Sequence, residues 1–139
     1  SDILAAFLYA QLEARDLIQS RRRRVWEYYH AHLREWAEQH QVRLPIVPAH
    51  CAQSYHMYYL LLPSLEERQS LITYLKGHGI STVFHYVPLH LSEMGRRFGG
   101  RLGDCPVTED VSERLLRLPF HNYLTESDQE VVVEAIQSW

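Results

Sequence analysis

Lysine is nearly missing from this 139-residue chain: of 14 basic residues, 13 are arginine and Lys76 stands alone. Chemistry that needs a lysine amine must therefore use Lys76 or a residue from elsewhere. Cysteine is equally scarce. Cys51 and Cys105 lie far apart with no C-x-x-C spacing, which argues against a disulfide framework and a zinc ribbon and makes a reducing cytoplasm the expected compartment. No apolar run approaches the roughly 20 residues of a membrane span. The opening Ser-Asp-Ile-Leu lacks the basic start of a signal peptide. There is no initiator methionine, and the chain opens straight into a helical pattern, so the sequence is expected to be a piece of a larger protein. Excess positive charge is absent too. A net charge of −3 and a pI near 6.3 argue against general nucleic-acid binding, which depends on phosphate neutralisation. What is present, 46% apolar and 22% charged residues, is the composition of a globular domain and excludes disorder.

Ser1 or Asp2 opens a helix whose apolar residues Ile3, Phe7, Ala10, Ala14 and Leu17 recur at helical spacing. Val25, Tyr29, Leu33 and Trp36 continue a similar face, predicting a long helix over residues 1–40. Between the two stripes, Arg21 or Arg22 falls on the apolar side, which requires a bend near Ser20 or a carboxylate partner. So long a stripe cannot be buried within so small a domain, and its first half is expected to pack on another domain or a second subunit. Residues 41–139 then read as a small domain. Val42–Pro45 is a short strand, Tyr55–Leu62 a buried strand, and Ser64 caps a helix with Leu71, Ile72 and Leu75 inside and Gly77 and Gly79 at its end. Ile80–Tyr86 is the next strand, Gly95–Gly103 a mobile loop, Thr108 or Glu109 the start of a helix through Leu116, and Leu118–Phe120 a short extended piece. Thr125 caps a last helix ending near Trp139. The predicted class is α+β, a small mostly antiparallel sheet covered by helices.

Several clusters are candidates for chemistry. The Arg21–Arg24 run suits a phosphate or nucleic-acid patch, but Glu13, Asp16, Glu27, Glu35 and Glu38 cancel its field, so it reads as a solvated helix face. Nine histidines invite a metal, yet the pairs His30/His32 and His85/His90 lack an evident third ligand. The densest polar-aromatic cluster is Phe84-His85-Tyr86-Val87-Pro88-Leu89-His90, at a strand end where binding residues gather. Its imidazole and phenol groups suit sugar hydroxyls and diphosphates. A turn with partly buried aromatics explains the same residues, and the residues alone leave both readings open. Lys76 falls in the last turn of a helix, a favourable place for any cation but not one that depresses an amine pKa.

Residue order goes further. Ser1-Asp2-Ile3, Ala5-Ala6, Gln11-Leu12-Glu13, the arginine run followed by Tyr28-Tyr29, His56-Met57-Tyr58, LKGHGISTVFHYVPLH from Leu75 to His90, and SERLLRLPFHNYLTESDQE from Ser112 resemble the nucleotide-sugar aminotransferases of the DegT/StrS type. The resemblance covers essentially the whole chain. It implies the C-terminal small domain of a homodimeric, cytoplasmic fold-type I pyridoxal phosphate enzyme, with residues 1–40 as the helix linking to a large cofactor-binding domain. Within the family it is strongest to enzymes that move an amino group from glutamate to dTDP-4-keto-6-deoxyglucose. Their product, dTDP-4-amino-4,6-dideoxygalactose, feeds a surface polysaccharide such as enterobacterial common antigen. By that resemblance His85 and Tyr86 match a strand-end pair near the hexose and diphosphate, and His90 matches a nearby position. The Schiff-base lysine of the family lies outside this sequence, and Lys76 does not match its motif. This chain alone is therefore expected to lack transaminase activity. The Gly95–Gly103 loop, with Arg96, Arg97 or Arg101 near phosphate, is expected to close over the nucleotide.

Two other classes remain on the residues: a stand-alone α+β regulatory module that binds a small ligand, and a helix-based DNA binder using Arg21–Arg24. The first should not expose the Ile3–Ile18 face, and the acidic pI speaks against the second.

Overall fold

A computed structural model describes all residues, Ser1–Trp139. Seven helices and three short strands follow in the order α1 (Asp2–Glu13), α2 (Arg15–His32), α3 (Arg34–Gln39), β1 (Tyr59–Leu61), α4 (Leu65–Gly77), β2 (Val83–Phe84), α5 (Glu93–Arg97), α6 (Pro106–Arg114), β3 (Leu115–Arg117) and α7 (Glu126–Gln137). A one-turn 3-10 helix, Leu89–Leu91, precedes α5. The fold is helix-rich with one antiparallel sheet in the order β1–β3–β2, so the last strand made is the central one. Leu116 of β3 stands opposite both Leu60 of β1 and Phe84 of β2.

The long leading pattern divides into three helices. The breaks fall at Ala14 and Leu33, not near Ser20, whose hydroxyl stays inside α2 and donates to the Leu17 carbonyl at 2.9 Å. The arginine on the apolar side finds no carboxylate. Arg22 Nε donates to the Asn122 side-chain oxygen at 3.0 Å, and the Arg21 guanidinium lies 5.7 Å from the Tyr123 ring centre. These contacts satisfy the cation without a bend.

The strands are shorter than the apolar runs predict. Tyr55 (φ 49°) and Tyr86 (φ 55°) take left-handed backbone conformations, which break a regular strand. They close off the outer ends of the expected Tyr55–Leu62 and Ile80–Tyr86 strands, and ladder pairing is confined to β1 and β2. Val42–Pro45 makes one bridge, Arg43 to Leu61, because Pro45 has no N–H to continue the ladder. The expected extended piece at Leu118–Phe120 is replaced by a strand three residues earlier, β3, and α6 starts at Pro106, a favoured first helical residue, and stops at Arg114. Glu93–Arg97 is helical, so the glycine-rich segment is not an open loop.

One core joins the layers. Val25, Tyr29, Leu33 and Trp36 pack with Leu60, Leu71, Leu116, Val132, Val133 and Ile136. Buried Gln129 of α7 donates from Nε2 to the Val25 carbonyl at 2.9 Å. Tyr29 Oη donates to the Pro119 carbonyl at 3.0 Å, and burial raises the phenol pKa of both Tyr29 and Tyr58. Thr125 closes a reciprocal capping box with Asp128, and Ser64 accepts from the Glu67 N–H at 3.1 Å at the start of α4. By contrast α1 buries none of its residues: Ile3 is 82% exposed and Phe7 68%. No helix of the structure is long and apolar enough to cross a membrane.

Candidate functional site

The chain leaves β2 through His85, Tyr86, Val87 and Pro88 and turns into the 3-10 helix. Beside this exit runs α6. Between them opens a mostly apolar cavity of about 540 Å³ whose wall includes His85, Tyr86, Pro88, Val107, Val111 and Ser112. The strand-end cluster thus forms a concave surface with a few polar groups, the usual make-up of a small-molecule site.

His85 is half-buried, and its Nδ1 is enclosed with no hydrogen-bond partner. Burial lowers its pKa, and the Arg117 and His56 charges add to the effect, so the imidazole is neutral at pH 7. It is thus available to donate or accept a hydrogen bond without carrying charge. Tyr86 is exposed, its ring centre lies 5.2 Å from that of His85, and the Arg117 guanidinium lies 5.4 Å from the ring. Arg117 enters from β3, and its Nε is buried without a partner. A bulky residue at φ 55° is disfavoured, and strain of this kind gathers at functional sites.

His90 does not line this cavity. It is held behind it, Nε2 lying 2.7 Å from Glu109 Oε1. The structure therefore brings His85 and Tyr86 together on the cavity wall and places His90 off it, against Glu109. Of the arginines of the glycine-rich segment, Arg97 pairs with Glu93 at 2.7 Å and Arg96 Nε donates to the Leu91 carbonyl at 3.0 Å. Sequence reasoning passed over Arg117, and its one signal is a charged residue inside the apolar run Leu115-Leu116-Arg117-Leu118. It also passed over Arg68, which is 6% exposed and stacks its guanidinium 5.3 Å from the Phe84 ring centre.

Other features stand away from this site. The broadest groove, about 600 Å³, includes Trp26, His30, Arg34 and Val42 and does not reach His85. No three His, Cys, Asp or Glu residues are grouped to hold a metal ion. The Arg21–Arg24 run is partly neutralised, with Arg23 Nε 2.7 Å from Glu27. Lys76 is exposed at the end of α4, on a separate cavity of about 270 Å³.

Comparison with known proteins adds the following. The profile of the DegT/DnrJ/EryC1/StrS aminotransferase family matches residues 1–137. An uncharacterised protein of Methanocaldococcus jannaschii is 30% identical over 99% of this chain and 36% of its own length. The dTDP-3-amino-3,6-dideoxy-alpha-D-galactopyranose transaminase of Aneurinibacillus thermoaerophilus is 26% identical over 99% of this chain and 36% of its own. Among solved structures, DesV of S. venezuelae, crystallised in complex with a ketimine intermediate, superimposes with a TM-score of 0.86 at 27% identity, covering 97% of this chain and 35% of that one. The chain spans about a third of the length of the relatives it matches.

Proposed function

Because the chain belongs to the DegT/DnrJ/EryC1/StrS aminotransferase family, we propose that it supplies the sugar-binding wall of a pyridoxal phosphate-dependent nucleotide-sugar transaminase. In this reading residues 41–139 are the C-terminal small domain. Residues 1–40 lead to a large domain, which covers the apolar face of α1. The enzyme is a homodimer. The amino donor is glutamate, and the acceptor is dTDP-4-keto-6-deoxyglucose, with dTDP-4-amino-4,6-dideoxygalactose as product. A dTDP-sugar is supported by the transaminase relative of A. thermoaerophilus, whose name places the amino group at carbon 3. The 3-keto and 4-keto sugars are therefore the pair to compare.

The residues present do not build a pyridoxal phosphate site. The only lysine, Lys76, is exposed and lies on a different cavity from His85. The cofactor and its lysine are accordingly assigned to polypeptide beyond these residues. This chain alone is expected to be inactive, and treatment with pyridoxal phosphate and borohydride should leave Lys76 unmodified.

The observation that carries the proposal is the strand exit itself. Neutral His85 and exposed Tyr86 line a cavity of about 540 Å³, and Arg117, its Nε unpartnered, lies against the Tyr86 ring beside it. His85 donates to or accepts from a hexose hydroxyl. Tyr86 offers an aromatic face and a phenol, and Arg117 brings positive charge close to a diphosphate. His90 braces the exit from behind. The test is His85→Ala in the complete enzyme. KM for the sugar nucleotide should rise at least about tenfold while KM for glutamate stays within about twofold, the loss expected when one buried hydrogen-bonding group is removed. Equal losses for both substrates overturn the assignment.

A further inference from the structure

One half-buried carboxylate next to this wall has no part in the reading above. Glu109 sits in the first turns of α6, and its side chain is 14% exposed. Two segments converge on it. His90 Nε2 lies 2.7 Å from Oε1, the Gly103 N–H donates to the two oxygens at 2.9 and 3.0 Å, and the Cys105 N–H donates at 3.3 Å. The His90 bond, followed by the backbone bonds, holds the carboxyl below the usual carboxylate range.

His90 belongs to the 3-10 turn that follows directly on His85–Pro88. That turn is locked to the glycine-rich segment by close backbone approach. A Cβ on Gly95 would stand 2.1 Å from the Leu89 carbonyl oxygen, and one on Gly100 would stand 2.3 Å from that of His90. The Gly100 N–H donates to the Gly95 carbonyl at 3.0 Å, and Ser92 Oγ accepts from the Gly95 N–H at 3.0 Å. Residues 89–100 are thus one packed piece. Glu109 clasps that piece through His90 and the segment after it through Gly103 and Cys105. On the other side of the turn, Tyr86 keeps a left-handed backbone that surrounding structure has to maintain.

We infer that Glu109 is a positioning residue: through His90 its carboxylate fixes the direction in which the chain leaves β2, and so sets His85 and Tyr86 against the sugar nucleotide. The inference rests on the reading of that wall given above. It also accounts for the glycines, which keep the turn and α5 in contact so that one side-chain bond restrains the whole segment.

The experiment uses the complete enzyme with Glu109→Ala, and with Glu109→Asp, which keeps the charge but withdraws it by one methylene. Hydrogen exchange at the Gly103 and Cys105 amides reads the clasp, and KM for each substrate reads the site. Glu109→Ala should speed exchange at both amides and raise the sugar-nucleotide KM about tenfold, with kcat and the glutamate KM within about twofold. Glu109→Asp should fold as the parent and still raise the sugar-nucleotide KM about threefold. An unchanged sugar-nucleotide KM in both variants, with His85→Ala still raising it, overturns this inference alone. Unchanged values in all three variants overturn the wall reading, and this inference with it.

Discussion

Helices α1 and α2 carry the same kind of apolar stripe and meet opposite fates. On α2, Val25 and Tyr29 are at most 1% exposed, while on α1 Phe7 is 68% exposed. The difference lies in what stands opposite. The stripe of α2 faces α7, where Gln129 reaches the Val25 carbonyl and Val132, Val133 and Ile136 fill the space between. Nothing in this chain stands opposite α1. Periodicity therefore reports that a helix has a face to cover, and only tertiary structure reports what covers it. A contiguous apolar face of this kind marks a contact surface.

Three substitutions sharpen that contrast. The largest effect belongs to Leu116→Ala, at the fully buried centre of the sheet, which should lower the free energy of unfolding by about 2–5 kcal/mol in urea titration. A loss below about 1 kcal/mol would mean that the sheet is not the centre of the core. Next is Thr125→Ala, which uncaps the helix that covers α2 and should cost about 1 kcal/mol near neutral pH. Its cost should depend on acidity. Hydrogen bonds from Thr125 hold the Asp128 carboxyl below its ordinary pKa, so this stabilisation is complete above the ordinary carboxylate range and fades as pH falls through the lowered value. Urea titrations of both proteins at neutral and strongly acidic pH should show the gap narrowing in acid. The smallest effect on stability belongs to Phe7→Ser on α1, expected to shift unfolding by less than about 0.5 kcal/mol. The same change should reduce self-association of the 139-residue chain in light scattering. Loss of cooperative unfolding would show that α1 is part of the core after all.

Much of this architecture was legible in the residues. The Val25–Trp36 stripe, the Ser64 and Thr125 caps and the inward Leu71 and Leu75 all followed from spacing and capping chemistry. So did the strand-end cluster, because proline and a run of hydrogen-bonding aromatics mark a chain leaving a sheet. Strand lengths were not legible. Their outer limits depend in part on Tyr55 and Tyr86 taking a backbone conformation that tyrosine rarely adopts, and no local pattern announces it. Nor was the Ala14 break, since alanine is the best of helix formers. The places of Arg117 beside the site and of Glu109 behind it were hidden for a different reason. Each lies far along the chain from the residue it serves: Arg117 meets Tyr86 across a strand pair, and Glu109 meets His90 across 19 residues.

The strand order has a consequence for how the molecule is made. With β3 in the middle, β1 and β2 emerge from the ribosome with no neighbour to pair with, and α2 waits 104 residues between Val25 and the glutamine that bonds to it. Such distant pairings slow folding and prolong the time that strand edges lie open to other chains. A nascent chain halted before β3 has α2 and two unpaired strands, and one halted before α7 has its sheet but leaves the α2 stripe without Gln129, Val132, Val133 and Ile136 to cover it.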